Sequence, residues 1–364
     1  MHIIIFIGTV NLLLFIITYF YYRMNFSLAH GWSFGLIYFF LACNNIIARA
    51  LPDTTPLFLT RLSSWLGGLW MAFAYYSLLL AILHLLLYLA SKFIGFSLHS
   101  SKVACAGTLA IAAFIAWGAY RAHSPVVRTE RITTTKLSHG EGYKIVFLSD
   151  LHLGRLLGHS YAQSLTERVN KLQPDLVLIA GDVLDEKLNY VLQEDSLAPL
   201  GQLQAPKGVF VAYGNHDYLD QPAKWQSLLM EQNIKVLRSS FLLIDNRLKI
   251  TGLDDYSKDK STQSLQRLST NNDHYYSILL DHQPRRMVAA DKAGYDLYLS
   301  GHTHTGQLFP NRLITKKLYP LDYGRAAFGS LTAITNNGYG YWGTPIRTEQ
   351  APEIVVIELI GTGK

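Results

Sequence analysis

The sequence predicts an α-helical transmembrane block followed by a soluble α/β domain. Three observations predict it. Residues 1–120 carry only five Lys or Arg (Arg23, Arg49, Arg61, Lys92, Lys102) and one acid, Asp53. Four stretches there lack charge altogether over bilayer-spanning lengths. From residue 143 onward, short apolar runs alternate with polar clusters built from Asp, His, Asn and Gly. The expected organisation is therefore a membrane block at 1–120, a linker at 121–142 and a soluble domain at 143–364.

The four uncharged stretches are 3–22, 31–48, 65–90 and 103–120. The first lacks the basic start of a cleavable signal, and three similar segments follow it, so it is read as a retained span. Asn44, Asn45 and His84 are read as helix-to-helix hydrogen-bonding groups rather than an intramembrane site. Arg49, Arg61, Arg121, Arg128, Arg131 and Lys136 gather on one side of the spans, and Arg23, Lys92 and Lys102 on the other. The basic excess predicts both termini and the soluble domain on the cytoplasmic side of a bacterial inner or plasma membrane. The net charge of +6 belongs mainly to the membrane block, and the remainder is nearly balanced, which argues against nucleic acid as a partner. Both cysteines, Cys43 and Cys105, lie in apolar runs of the block, so neither a disulfide framework nor a thiolate metal site is expected. The linker holds Pro125 and Gly140, with alternation too short to settle more than entry into an edge strand.

In the soluble part, 144–149 reads as a buried strand. Ser160 to Gln163 then forms a capping-box pattern opening a helix with Tyr161, Leu165, Val169 and Leu172 on one face. Further core strands are expected at 175–180, 209–213, 277–280 and 296–299. Each run ends in a polar cluster: Asp150 and His152; Gly181 and Asp182; Gly214, Asn215, His216 and Asp217; Asp281 and His282; Gly301, His302 and His304. Ligands of open α/β sheets bind outside the carboxyl ends of the strands, so five clusters at five strand ends can converge on one site. Carboxylate, imidazole and amide oxygen donors without thiolate suit two divalent ions, Mn first, with Fe or Zn as alternatives. Such a pair would activate a water for in-line displacement at phosphorus.

The series Asp-x-His, Gly-Asp, Gly-Asn-His-Asp, His and Gly-His-x-His resembles the calcineurin-like metallophosphoesterase family over the whole soluble domain. The tail, with Gln307, Tyr323, Asn337 and Arg347, is similar to a bacterial, often membrane-anchored branch. The resemblance implies a two-sheet β-sandwich flanked by helices. It also implies that Asp150, His152 and His304 hold one metal, that Asn215, His282 and His302 hold the second, and that Asp182 bridges them. His216 takes the place of the acid that protonates the leaving oxygen, with Asp217 or Asp185 orienting it. One departure is Thr305, where the branch has glycine; a left-handed conformation there would be strained.

Arg155, Arg285 and Arg286 follow ligand loops and are candidates for pairing with substrate phosphate or anionic lipid. The expected function is a two-metal hydrolase of phosphoester or pyrophosphate bonds acting at the phospholipid bilayer on a phosphorylated or lipid-linked small molecule. One alternative is hydrolysis of the UDP-2,3-diacylglucosamine pyrophosphate of lipid A synthesis. Another is a non-catalytic membrane sensor or binding module, whose signature would be a missing ligand or acid; every one is present.

Overall fold

A computed structural model describes residues 2–95, 100–269 and 274–364. The chain divides into two compact units, one comprising Met1–Arg121 with Gly343–Thr348, the other Ala122–Trp342 with Glu349–Lys364.

The first unit contains helices α1 (His2–Asn25), α2 (Trp32–Ala50), α3 (Leu57–Ile94) and α4 (Ser100–Ala122). By length and composition, α2, α3 and α4 are apolar enough to cross a membrane. The expected first span falls within α1, and the side chains of residues 3–7 lie outside the described residues. The helix α3 has 38 residues, longer than the expected 65–90. At 1.5 Å per residue it extends about 57 Å, beyond the roughly 30 Å of a bilayer core.

Small residues and neutral hydrogen bonds hold these helices together. A Cβ on Gly67 would lie 2.3 Å from the Asn45 nitrogen, so only glycine permits this approach of α3 to α2. Ser63 Oγ donates to Asn44 Oδ1 at 2.9 Å, and Tyr22 and Ser77 share a 2.7 Å hydrogen bond. His84 lies between Tyr21 Oη at 3.2 Å and Ser100 Oγ at 3.0 Å. The segment Gly343–Thr348 belongs to this unit although it follows 221 residues of the other. Arg347 N donates to Gly118 O at 3.0 Å, and Thr348 Oγ1 lies 2.6 Å from Tyr76 Oη.

The second unit has two six-stranded mixed sheets. The first, in spatial order, is β1 (Val126–Ser138), β12 (Glu353–Gly363), β2 (Gly142–Leu148), β3 (Leu176–Ala180), β4 (Val209–Ala212) and β5 (Ile234–Leu237). The second is β10 (Gly324–Phe328), β11 (Leu331–Thr335), β9 (Leu297–Ser300), β8 (Tyr276–Leu280), β7 (Leu248–Gly252) and β6 (Ser240–Ile244). Central strands are parallel and read as unbroken apolar runs because both faces are covered. Successive side chains point to opposite faces, so Ile145, Phe147 and Leu178 join Ile278 and Leu280 between the sheets. Val146, Leu148 and Ile179 point the other way, packing with α5 (His159–Lys171) and α7 (Pro222–Glu231) through Leu165, Val169 and Trp225. The outer face of the second sheet packs with α8 (Gln263–Arg267) and α9 (Met287–Lys292) through Leu265 and Met287. Short helices α6 (Leu188–Gln193) and α10 (Arg312–Leu318) complete the unit.

One sequence expectation is extended here and one is corrected. Residues 126–138, read as a linker entering an edge strand, form a 13-residue edge strand paired in parallel with β12 from Val126↔Glu353 onward. The capping box at Ser160 does not form. Gly158 is the N-cap, its carbonyl accepts from Tyr161 and Ala162 at 3.1 Å, and the helix opens two residues early, at His159.

Candidate metal centre

The polar clusters follow the carboxyl ends of β2, β3, β4, β8 and β9. Backbone hydrogen bonds join these loops: Asp150 N to Gly181 O, His152 N to Asp182 O, and Gly301 N to His282 O, each at 2.9 to 3.0 Å. Close approach dictates glycine at two points. Gly181 has φ +82°, and a Cβ on Gly214 would sit 2.1 Å from Asp182 Oδ1.

Three sets of ligand atoms converge: Asp150, His152 and His304; His152, Asp182 and His216; Asp182, His282 and His302. Within them, His152 Nε2 and His304 Nε2 are 3.1 Å apart, and His302 Nδ1 and His282 Nε2 are 3.2 Å apart. Asp182 Oδ2 lies 3.1 Å from His282 Nε2 and 4.0 Å from His152 Nε2, so it belongs to both flanks. His304 Nε2 lies 3.5 Å from Asp150 Oδ1. Donors at metal distances of about 2.1 Å and right angles stand about 3 Å apart, which these separations match. Asn215 Oδ1 is buried without a hydrogen-bond partner among the described residues, as an oxygen reserved for a cation would be. His282 Nδ1 lies 2.7 Å from the Ala180 carbonyl, which holds its proton on Nδ1 and leaves Nε2 to coordinate. The residues present therefore fit a pair of divalent ions.

The charges around Asp182 are strongly opposed. Burial would raise its carboxyl, but His282, His216 and His152 outweigh burial and hold it well below the usual range. His302 is the reverse: burial, with neighbouring His282, pushes its imidazole down to about 3, the neutral form that coordinates metals.

His216 is anchored at the same place. Its backbone N–H donates to Asp182 Oδ1 at 2.8 Å, and its Nδ1 hydrogen-bonds the Asp185 carbonyl. Burial would lower its pKa, but Asp182 and Asp185 raise it above the ordinary imidazole value. Asp185 Oδ1 stands 3.7 Å from His216 Nδ1 and 3.3 Å from His152 Nδ1. Asp217, the other residue considered for orienting His216, accepts from Asp182 N, Val183 N, Leu184 N, Gly214 N and Trp225 Nε1 at 2.8 to 3.1 Å. It ties the second and third loops together, and burial with Asp182 nearby pushes its carboxyl up to about 6.

Backbone strain is concentrated in these loops. Asp150, His152, Asp182, His302 and His304, five of the seven candidate ligands, have φ between 46° and 72°. Such left-handed residues cost roughly 1–2 kcal/mol each and persist only where surrounding structure imposes them. Thr305 joins them at φ 53°, the strained conformation its sequence position implied.

Arg155 pairs with Glu186 and lies over Tyr190, and Arg286 is spent on Asp281 at 2.5 and 2.8 Å. Arg285 stacks over Tyr319 at 4.5 Å, and Tyr319 in turn meets the His302 ring edge-on at 5.7 Å. On the other flank, the Trp342 ring lies 6.0 Å from His216, held by Gln307, whose side chain both donates to Trp342 O and accepts from Trp342 N. Tyr319 and Trp342 escaped sequence reasoning: they come from irregular segments, and only the proximity of Trp342 to a Gly- and Tyr-rich stretch marked it.

The calcineurin-like phosphoesterase family profile matches residues 143–306. An uncharacterized metallophosphoesterase of Helicobacter pylori is 33% identical over 223 residues, covering 60% of each chain. The chain thus spans 60% of that relative's length. An uncharacterized metallophosphoesterase of Bacillus subtilis is 31% identical over 276 residues, 70% of this chain and 95% of that one. A Danio rerio protein named as a transmembrane protein with metallophosphoesterase domain is 30% identical over 340 residues, covering 85% of this chain and 75% of its own.

Proposed function

Because this chain belongs to the calcineurin-like phosphoesterase family, we propose that it is a membrane-anchored hydrolase of phosphoester or pyrophosphate bonds that works with two divalent ions. The observation that carries the reading is that Asp182 belongs to two of the three ligand sets, one with His282 and His302 and one with His152, which also belongs to the third. Asp150, His152 and His304 would hold one ion, Asn215, His282 and His302 the other, with Asp182 between them. Bound there, the ions would supply Lewis-acid activation of water and neutralisation of phosphoryl charge. The oxygen and nitrogen donor set without thiolate suits Mn, Fe or Zn, of which Mn is the first proposed.

The remaining chemistry belongs to the chain. His216, its Nδ1 proton fixed on the Asp185 carbonyl, has Nε2 as its working nitrogen, and its raised pKa keeps a proton there for the leaving oxygen. Trp342 beside it shields one flank of that imidazole from water.

Helices α2, α3 and α4 support anchoring in a phospholipid bilayer, and anchoring favours a substrate that is itself lipid-linked. The basic residues flanking the helices support a cytoplasmic catalytic domain.

The test is hydrolysis of bis-p-nitrophenyl phosphate and p-nitrophenyl phosphate by detergent-solubilised protein, stripped of metal and reloaded with Mn, Zn or Mg. Turnover restored by metal supports the proposal. Absence of turnover on these compounds, and on UDP-diacylglucosamine, with metal demonstrably bound would refute it.

A further inference from the structure

A cavity of about 600 Å³ lies on the flank of the second sheet, between the segment after β7, helix α8, the Arg285–Arg286 turn after β8, and α9. That volume falls in the range of small-ligand sites, roughly 300 to 1,000 Å³. Four cations line it, Lys260, Arg285, Arg286 and Lys292, and no Asp or Glu stands among the described residues lining it. Two carboxylates beside it are engaged elsewhere. Asp281 neutralises Arg286, whose remaining N–H groups donate to Asp259 O at 2.9 Å and Asp254 O at 3.0 Å. Asp259 turns its carboxylate to Ser261 and Ser264 of its own loop, at 2.6 to 2.9 Å.

Arg286 is therefore a fixed wall, and three charges remain uncompensated among the described residues. Lys260 and Lys292 make no ion pair among the described residues. Arg285 is held with its guanidinium over Tyr319 at 4.5 Å and Tyr256 at 5.5 Å, and its Nε donates to Gln283 Oε1 at 3.1 Å. Aromatic contacts and one hydrogen bond thus orient the group before any ligand arrives, which lowers the entropy cost of binding. Thr262, Gln266 and Ser269 add neutral polar groups to the same lining. Through Tyr319, whose ring meets His302, Arg285 also stands one side chain from the metal centre.

We propose that this cavity is a second anion site, taking a phosphate-bearing group on Lys260, Arg285 and Lys292, separate from the metal centre. Three cations around one cavity with no carboxylate among its described lining residues match phosphate in charge, and the oriented guanidinium matches it in geometry. The site does not depend on hydrolysis, so it is testable with the metal centre disabled.

The experiment titrates inorganic pyrophosphate into full-length protein in phosphatidylcholine nanodiscs, with chelator present, by calorimetry. Wild type and Asp182→Asn should bind alike, and affinity should fall with added salt because the cations are exposed. The pair Lys260→Gln with Lys292→Gln, or Arg285→Gln alone, should weaken binding about tenfold or more, while Lys260→Arg with Lys292→Arg retains it. All of these side chains are exposed, so an unchanged thermal melt separates loss of binding from loss of fold. No saturable binding by wild type, or binding that survives the glutamine variants and disappears in Asp182→Asn, would overturn the proposal. Repeating the titration in phosphatidylglycerol nanodiscs identifies the natural source: weakened pyrophosphate binding marks a lipid headgroup as occupant, and unchanged binding marks a soluble phosphate.

Discussion

The two units both bury polar side chains, and they differ in how most of those groups are arranged. In the helical unit buried polar groups mostly pair with one another, Thr18 with Tyr38 at 2.6 Å, Tyr22 with Ser77 and Ser63 with Asn44, while the Asn11 amide and the Trp70 indole nitrogen have no partner among the described residues. In the second unit, imidazole nitrogens face one another at 3.1 and 3.2 Å, the Asn215 oxygen is buried without a partner, and five of the seven candidate ligands sit in left-handed backbone. A satisfied, unstrained polar set serves packing. An unsatisfied set on strained loops is held for a ligand, because leaving such groups unpaired costs about 1–3 kcal/mol apiece. The contrast is open to attack at four points.

The largest effect is expected at Asp182. Its substitution by Asn removes the charge common to both flanks while leaving the shape of the loop. Turnover of bis-p-nitrophenyl phosphate should fall by about a thousandfold, with metal content reduced and the thermal midpoint little changed. Retention of both turnover and metal would show that the polar set is structural after all.

His216→Ala comes next, with a loss of about a hundredfold on an ester whose leaving alkoxide needs a proton. On p-nitrophenyl esters, whose leaving group departs without one, the loss should be much smaller. An equal loss on both would assign His216 to positioning rather than proton donation.

How much of this contrast could be read from the chain alone differs between its parts. The candidate ligands were legible as a group because each stands at the end of an apolar run whose length and content fix a strand, so chemistry and position coincide. The choice between Asp185 and Asp217 was not legible. It depends on which backbone N–H groups a carboxylate meets, and Asp217 spends itself on five donors from three segments. Strand β1 was obscured because its side chains are largely exposed or half-buried and its partner lies at the far end of the chain. The return of Gly343–Thr348 to the helical unit leaves no periodic signal, since its contacts with Gly118 and Tyr76 are made by an irregular segment. The two-sheet arrangement itself followed from the family resemblance; apolar runs alone specify strands, not how sheets stack.

Thr305 sharpens the comparison on the side of strain. Its φ of 53° is one that glycine adopts freely, and its Oγ1 is buried without a partner among the described residues. Thr305→Gly should raise stability by about 0.5–1 kcal/mol, the left-handed penalty less the added chain entropy of glycine. Denaturant melts of the detergent-solubilised protein measure it. Destabilisation would mean that the threonine methyl fills space worth more than the strain.

The smallest effect is expected within the helices, and it tests the satisfied half of the contrast. Tyr22→Phe and Ser77→Ala each remove one partner of a 2.7 Å hydrogen bond while keeping most of the packing. In a double-mutant cycle their interaction energy should be about 0.6 kcal/mol, the average for hydrogen bonds between membrane helices, because the separated groups find other partners. Phosphoesterase turnover should stay within twofold of wild type in all three variants. A coupling several times larger, accompanied by a loss of turnover, would mean that this polar pair transmits something to the metal centre, and the division into a packing set and a ligand set would no longer hold.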